Sequence, residues 1–191
     1  SLRWGSMLFH WGLLMVVGGH LAGLLVPKSI TESLGVSQEM YHAGAVYLGG
    51  LAGIITLVGI TLLVFRRLTV MRVRITSRAT DILIALLLYA VVLMGLYNTL
   101  GYAFLFGGYD YRVTISPWLR GLLTFMPDPN LMVSIPLFFK LHVLFSFAVF
   151  GLWPFTRLVH VWSIPVMYLQ RSYIVYRSRN TKRLINKPVI D

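Results

Sequence analysis

Residues 7–26, MLFHWGLLMVVGGHLAGLLV, run for twenty positions without an Asp, Glu, Lys or Arg, yet they carry two histidines, His10 and His20. A helix rises 1.5 Å per residue, so a stretch of about 20 residues crosses the ~30 Å hydrocarbon core of a bilayer. Backbone in lipid must satisfy its own hydrogen bonds, which makes such a span helical. Three more apolar stretches, roughly 43–65, 80–105 and 135–158, follow the same pattern. The expected fold is therefore all-α: a polytopic transmembrane helix bundle with four spans. It is read as a single domain, 1–191, ending in a basic tail over 166–191.

The composition supports that reading. Of 191 residues 57% are hydrophobic and 12% charged, with a formal charge of +11. A nucleic-acid-binding domain would also be basic, but it would not contain four apolar spans, so no nucleic-acid partner is expected. Cysteine is absent, which excludes disulfides, thiolate zinc sites and protein-ligated iron–sulfur clusters within this chain. Any metal must be held by histidine or carboxylate.

Topology follows from the Lys and Arg residues on alternate sides of the spans. Thirteen fall with the ends and the short middle loop: Arg3, Arg66, Arg67, Arg72, Arg74, Arg78, Arg157 and the tail residues Arg171, Arg177, Arg179, Lys182, Arg183 and Lys187. Four fall on the other side: Lys28, Arg112, Arg120 and Lys140. The positive-inside rule then puts both ends of the sequence in the cytoplasm and residues 108–130 outside. Within that outer segment, 118–126 reads as an amphipathic interfacial helix and a candidate lid.

Four of the five histidines lie in two spans, His10 and His20 in the first and His142 and His160 in the last. Ionisable groups at membrane depth are costly and mark proton paths, ions or cofactors. The two spans must be antiparallel, so His10 falls level with His160 on the inner side and His20 with His142 nearer the outer side. The separations along the helices, about 15 Å and about 27 Å, are unequal; tilt and a kink at Pro154 would absorb part of the mismatch. Two six-coordinate haems fit this arrangement, because haem iron takes one axial ligand from each side of the porphyrin and neutral imidazole supplies both. A proton relay would normally bring membrane carboxylates. The nearest is Asp81, at a helix start, where capping accounts for it.

The spacings Gly19 to Gly23 and Gly49 to Gly53 suit either close helix packing or room for a porphyrin face. Arg157, one turn before His160, is either a propionate partner or a snorkelling basic residue.

Four segments carry a resemblance: FHWGLLMVVGGHLAGLLVP (9–27), RRLTVMRVRITSRATDILI (66–84), FKLHVLFSF (139–147) and WPFTRLVHVWSIPVMYLQRSY (153–173). Together they resemble the gamma subunit of respiratory nitrate reductase, a membrane di-haem cytochrome b, through nearly the whole chain. The resemblance implies His10 with His160 on an inner haem b and His20 with His142 on an outer one. It implies a prokaryotic cell-membrane protein that oxidises a quinol, menaquinol by expectation. Electrons would pass to a cytoplasmic iron–sulfur beta subunit and on to a molybdenum-containing alpha subunit that reduces nitrate. The tail would contact those subunits or anionic lipid.

Two departures stand out. The family usually has a further helix before the first histidine helix, so a fifth, N-terminal span is expected before Ser1. Its quinol site involves a lysine, and Lys28 stands nearer the first span than that pattern expects. Gly19 and His20 match the motif, and Glu39 and His42 are local alternatives for taking a quinol proton. Two other readings stay open: a haem-b anchor of another oxidoreductase, of hydrogenase or formate dehydrogenase type, and a haem-free transporter lined by histidines.

Overall fold

A computed structural model describes residues 2–161; the expected tail, 166–191, lies outside the described residues. The chain divides into two compact units, Ser1–Leu158 and Val159–Asp191, and the architecture below is that of the first. Helix α1, Leu2–His20, runs on through a π-helical turn, Leu21–Leu25. After Pro27 come α2, Lys28–Ser33, and α3, Gln38–Thr69. A short α4, Met71–Ile75, leads to α5, Ala79–Leu96, which continues through a second π turn, Tyr97–Gly101, into α6, Tyr102–Phe106. Helix α7, Ile115–Leu123, precedes α8, Leu137–Leu152. No strand occurs among the described residues.

Among the described residues, four continuous helical stretches are long and apolar enough to cross a membrane: Leu2–Leu25, Gln38–Thr69, Ala79–Phe106 and Leu137–Phe155. Their bounds differ from the sequence expectation for local reasons. The first is already helical at Leu2, the first described residue. The second has 32 residues, about 48 Å of helix, so it outruns the hydrocarbon core and carries polar side chains at both ends. The last leaves α-helical geometry at Trp153, where Pro154 cannot donate a backbone hydrogen bond, and becomes a 3₁₀ turn over Trp153–Phe155.

Two of these helices, α3 and α5, are closed at their starts by side chains. The Ser37 hydroxyl accepts from the Met40 amide at 3.1 Å and starts α3. Asp81 accepts from the Arg78 amide at 3.1 Å at the start of α5, the capping role expected of it. It also pairs with Arg157 Nε at 3.2 Å, and Arg67 donates to its carbonyl at 2.8 Å. Asp81 thus joins three segments: its carboxylate caps α5 and pairs with Arg157, while its backbone carbonyl receives Arg67.

Spans that are consecutive in sequence are neighbours in space. Helix α1 lies on α3 through an antiparallel ladder of small residues: Gly5 against Leu62 and Leu63, Gly59 against the Phe9 backbone, and Gly12 against Thr56. A β-carbon at Gly12 would come within 2.5 Å of Thr56 Oγ1, so the glycine is what permits the approach. On the opposite side of α3, Gly50 and Gly53 receive Leu100 and Leu96 of the α5 span. Helix α8 packs on α5. Between α1 and α8 there is no comparable backbone seam. Each glycine pair of the sequence is therefore divided: Gly23 and Gly53 are packing residues, Gly49 meets only Thr99 at ordinary contact distance, and Gly19, like Gly18, faces open space.

Candidate functional site

The connections 26–37 and 107–136 lie together at one end of the bundle, the loop end, and Arg66 to Arg78 lie at the other. His20 is the last residue of α1 before the π turn, and His142 is in the second turn of α8, so both are near the loop end. Their ring centroids are 6.1 Å apart with planes tilted by 33°. The Nδ1–H of His20 donates to the Val16 carbonyl at 2.8 Å, and that of His142 to the Val91 carbonyl at 3.1 Å. A carbonyl can only accept, so each Nδ1 carries a proton, and in the neutral form of the ring it is Nε2 that offers a lone pair to a metal.

Room for this pair is built into the backbone. A β-carbon on Gly95 would lie 3.0 Å from His142 Cε1, so a side chain there would press on that ring. The π turn after His20 leaves carbonyls to be satisfied, and α7 does this: Ser116 Oγ donates to the Gly23 carbonyl at 3.0 Å and Arg120 to the Leu24 carbonyl at 2.9 Å. Helix α7 thus starts at Ile115 rather than 118 and is a clasp on the end of α1. Its amphipathic pattern does not decide between lid and clasp, which depends on what Ser116 and Arg120 reach.

His10 sits ten residues further down α1, away from the glycine face, with Nδ1 2.7 Å from the Ser6 carbonyl. His160 lies in a 3₁₀ turn, Arg157–Val161, in the second unit, and its expected pairing with His10 stays a sequence argument. Arg157 is exposed and bonded to Asp81, the partner that the structure gives it.

The remaining site residues form a second cluster. Lys28 is half-buried, with its ammonium 3.1 Å from Asp110 and 3.9 Å from Glu32. Asp110 also accepts from Gln38 at 2.7 Å and from both the amide and Nε of Arg112 at 3.2 Å. Arg112 is 3% exposed; it donates onward to Thr31 and to Gln38 Oε1, and its guanidinium lies 3.6 Å from the Tyr41 ring centroid. Tyr41 and Tyr111 share a hydroxyl hydrogen bond of 2.9 Å, and both hydroxyls press on Gly23.

Burial alone would raise the Asp110 carboxyl. Hydrogen bonds from Gln38, Lys28 and Arg112 outweigh it and hold the group below its ordinary value of 3.8. Burial, reinforced by the Tyr41 hydrogen bond, raises the Tyr111 phenol, which stays protonated at neutral pH. Sequence reasoning missed this network. One signal was available: on a side of the membrane with few basic residues, Lys28 and Arg112 share it with Asp110, and isolated charges there need partners.

Glu39 and His42 line a cleft of about 610 Å³ together with Gln38, Ala43, Val46, Tyr47, Ala103, Phe104, Gly107, Gly108, Tyr109 and Asp110. Gly19 and His20 do not line it, and Lys28 meets it only through Asp110. The quinol residues expected from sequence are thus divided between two places at the loop end.

Among known proteins, a family model described as nitrate reductase gamma subunit matches residues 1–179. The chain belongs to the nitrate reductase gamma subunit family. It is 51% identical to the nitrate reductase gamma chain of Bacillus subtilis (strain 168), over 94% of this chain and 80% of that one. It is 35% identical to the respiratory nitrate reductase 1 gamma chain of Escherichia coli (strain K12), again over 94% and 80%. A nitrate reductase-like protein of Mycobacterium tuberculosis (strain ATCC 25618 / H37Rv) is 46% identical, over 93% of this chain but 28% of its own length. As a gamma subunit the chain is one component of a multi-subunit respiratory nitrate reductase, and its described residues hold four helices long and apolar enough to cross a membrane.

Proposed function

We propose that this gamma subunit is a di-haem cytochrome b that oxidises quinol and feeds the electrons towards nitrate reduction. The observation carrying the proposal is the apposition of His20 and His142, two imidazoles from different spans, where α1 and α8 share no close backbone seam. Their donor chemistry suits a b-type haem: both present Nε2, no thiolate or carboxylate competes, and Gly18 and Gly19 leave one approach open. His20 and His142 would hold one haem, and His10 and His160 the other. Haem iron, when bound, supplies reversible one-electron chemistry.

The chain's own residues do the rest. The carbonyls of Val16 and Val91 fix the tautomer and orientation of the two rings, and Gly95 seats the His142 ring. The clasp of α7 and the Arg112 network hold the end of α1, where His20 stands. With both ends of the sequence cytoplasmic, as the arginine distribution argues, the loop end faces outward, and protons from quinol leave on that side. An iron–sulfur beta subunit and a molybdenum alpha subunit would take the electrons in the cytoplasm.

The test is a dithionite-reduced minus oxidised optical spectrum with haem quantification on the purified complex. The expected result is two b haems per gamma chain, with one of them lost in both His20→Ala and His142→Ala and the other retained. Absence of haem from the wild-type complex would overturn the cytochrome reading in favour of a haem-free transporter.

A further inference from the structure

We propose that the chain reversal after α7, residues 122–126, is a membrane anchor whose Leu123, Phe125 and Met126 lie among the acyl chains of the leaflet at the loop end. A helix lying in the interface would turn its own apolar side chains to lipid. Helix α7 spends them on the bundle instead: Ile115 packs with Ile135 and Phe139, and the Trp118 ring meets that of Phe147 at 6.2 Å. Exposure begins where the helix ends. Leu123, Phe125 and Met126 are 61%, 93% and 81% exposed, three large apolar side chains within four residues.

The backbone keeps this arrangement against its own preference. Phe125 has φ 60°, left-handed and unique in that among the described non-glycine residues, just past a helix end where glycine usually stands. A bulky side chain works against the turn, so the phenylalanine serves something other than chain reversal. The reversal also leaves no donor over. The amides of Thr124, Phe125 and Met126 donate to carbonyls of residues 120–122, as does the Thr124 hydroxyl, and Pro127 has no amide proton. Residues 121–127 carry no charge. Such a tip offers water or a protein partner no hydrogen-bond donor, whereas acyl chains require that none be left unmet. Asp128 and Asn130 stand just beyond, joined by a hydrogen bond of 3.0 Å, and their polarity limits insertion to the boundary of headgroups and acyl chains. Exposed apolar residues then resume at Val133 and, in the first turn of α8, at Leu137 and Phe138, so the tip belongs to a run of apolar exposure that leads into a span. Helix α7 is thus held twice, to α1 through Ser116 and Arg120 and to the bilayer through Phe125.

The experiment uses the purified complex in liposomes of phosphatidylcholine that carries a diazirine near the carboxyl end of one acyl chain, with adducts mapped by mass spectrometry after irradiation. The expected result is label on residues 122–126 as well as on Leu137 and Phe138, the lipid-facing reference. Phe125→Gly keeps the reversal, because glycine adopts that φ freely, and should cut the label on residues 122–126 about tenfold, the loss expected for one buried aromatic side chain. Phe125→Asn, also tolerated at positive φ, should behave alike. In both variants the label on Leu137 and Phe138 should stay unchanged. Label on Leu137 and Phe138 with none on residues 122–126 overturns the proposal and gives the tip to water or to another protein chain. Label on residues 122–126 that is equal in wild type and in both variants overturns the role of Phe125 and the proposal with it.

Discussion

At the scale of single residues, the loop end is governed by groups that have one geometry available to them. His142 lies against Gly95, so the branched side chain of Gly95→Val should displace the ring from its place opposite His20. The expected outcome is loss of the haem signal that His20→Ala also removes, read in the same difference spectrum. Asp110 makes a pH prediction. Its carboxyl is held below the ordinary value of 3.8 in the folded chain, so the unfolded chain binds the proton more readily. The stabilisation is complete above the ordinary value and disappears as pH falls through it towards the lower folded value. Thermal midpoints in detergent between about pH 3 and 7 should fall on the acid side, and Asp110→Asn should flatten that limb and start lower at neutral pH. Removing Arg112 is expected to be worse, because Asp110, Gln38 and Thr31 would each lose a donor. Arg112→Met should shift the neutral midpoint more than Asp110→Asn does.

At the scale of elements, α7 is tied to the first span by two side chains. Ser116 is fully buried and donates to the Gly23 carbonyl. Ser116→Ala strands that carbonyl and should cost about 1–2 kcal/mol, a drop of several degrees in the thermal midpoint. Ser116→Thr, which keeps the hydroxyl, should recover part of it. This clasp marks where sequence reading stops. The spans were legible because lipid demands long runs of apolar residues, and Asp81 was legible as a cap because capping is a local interaction. The His20–His142 level followed from antiparallel order alone. The bonds from Ser116 to Gly23 and from Arg112 to Thr31 and Gln38 join residues 70 or more positions apart. No periodicity encodes such partners. The π turns were equally silent, since Leu21–Leu25 and Tyr97–Gly101 have no composition that sets them apart from α-helix.

At the scale of the whole molecule, glycine sets the distance between spans. The α1–α3 seam has Gly5, Gly12 and Gly59 in register, and Gly59 meets the Phe9 backbone rather than a side chain that could turn aside. Gly59→Leu should therefore separate the two helices and cost about 1–3 kcal/mol or more, seen as a lowered thermal midpoint and reduced haem retention together. Retained stability with haem lost would assign the seam a purely spacing role. The seams, α1 on α3, α3 on α5 and α5 on α8, run in the order in which a ribosome delivers the chain. Each hairpin can close as soon as its second helix is inserted, without waiting for distant sequence. Between the first helix and the last the described residues form no such seam, and that pair can meet only after the fourth span is inserted. A large flat guest could therefore be admitted between them after the other seams have closed, without dismantling any helix pair already made.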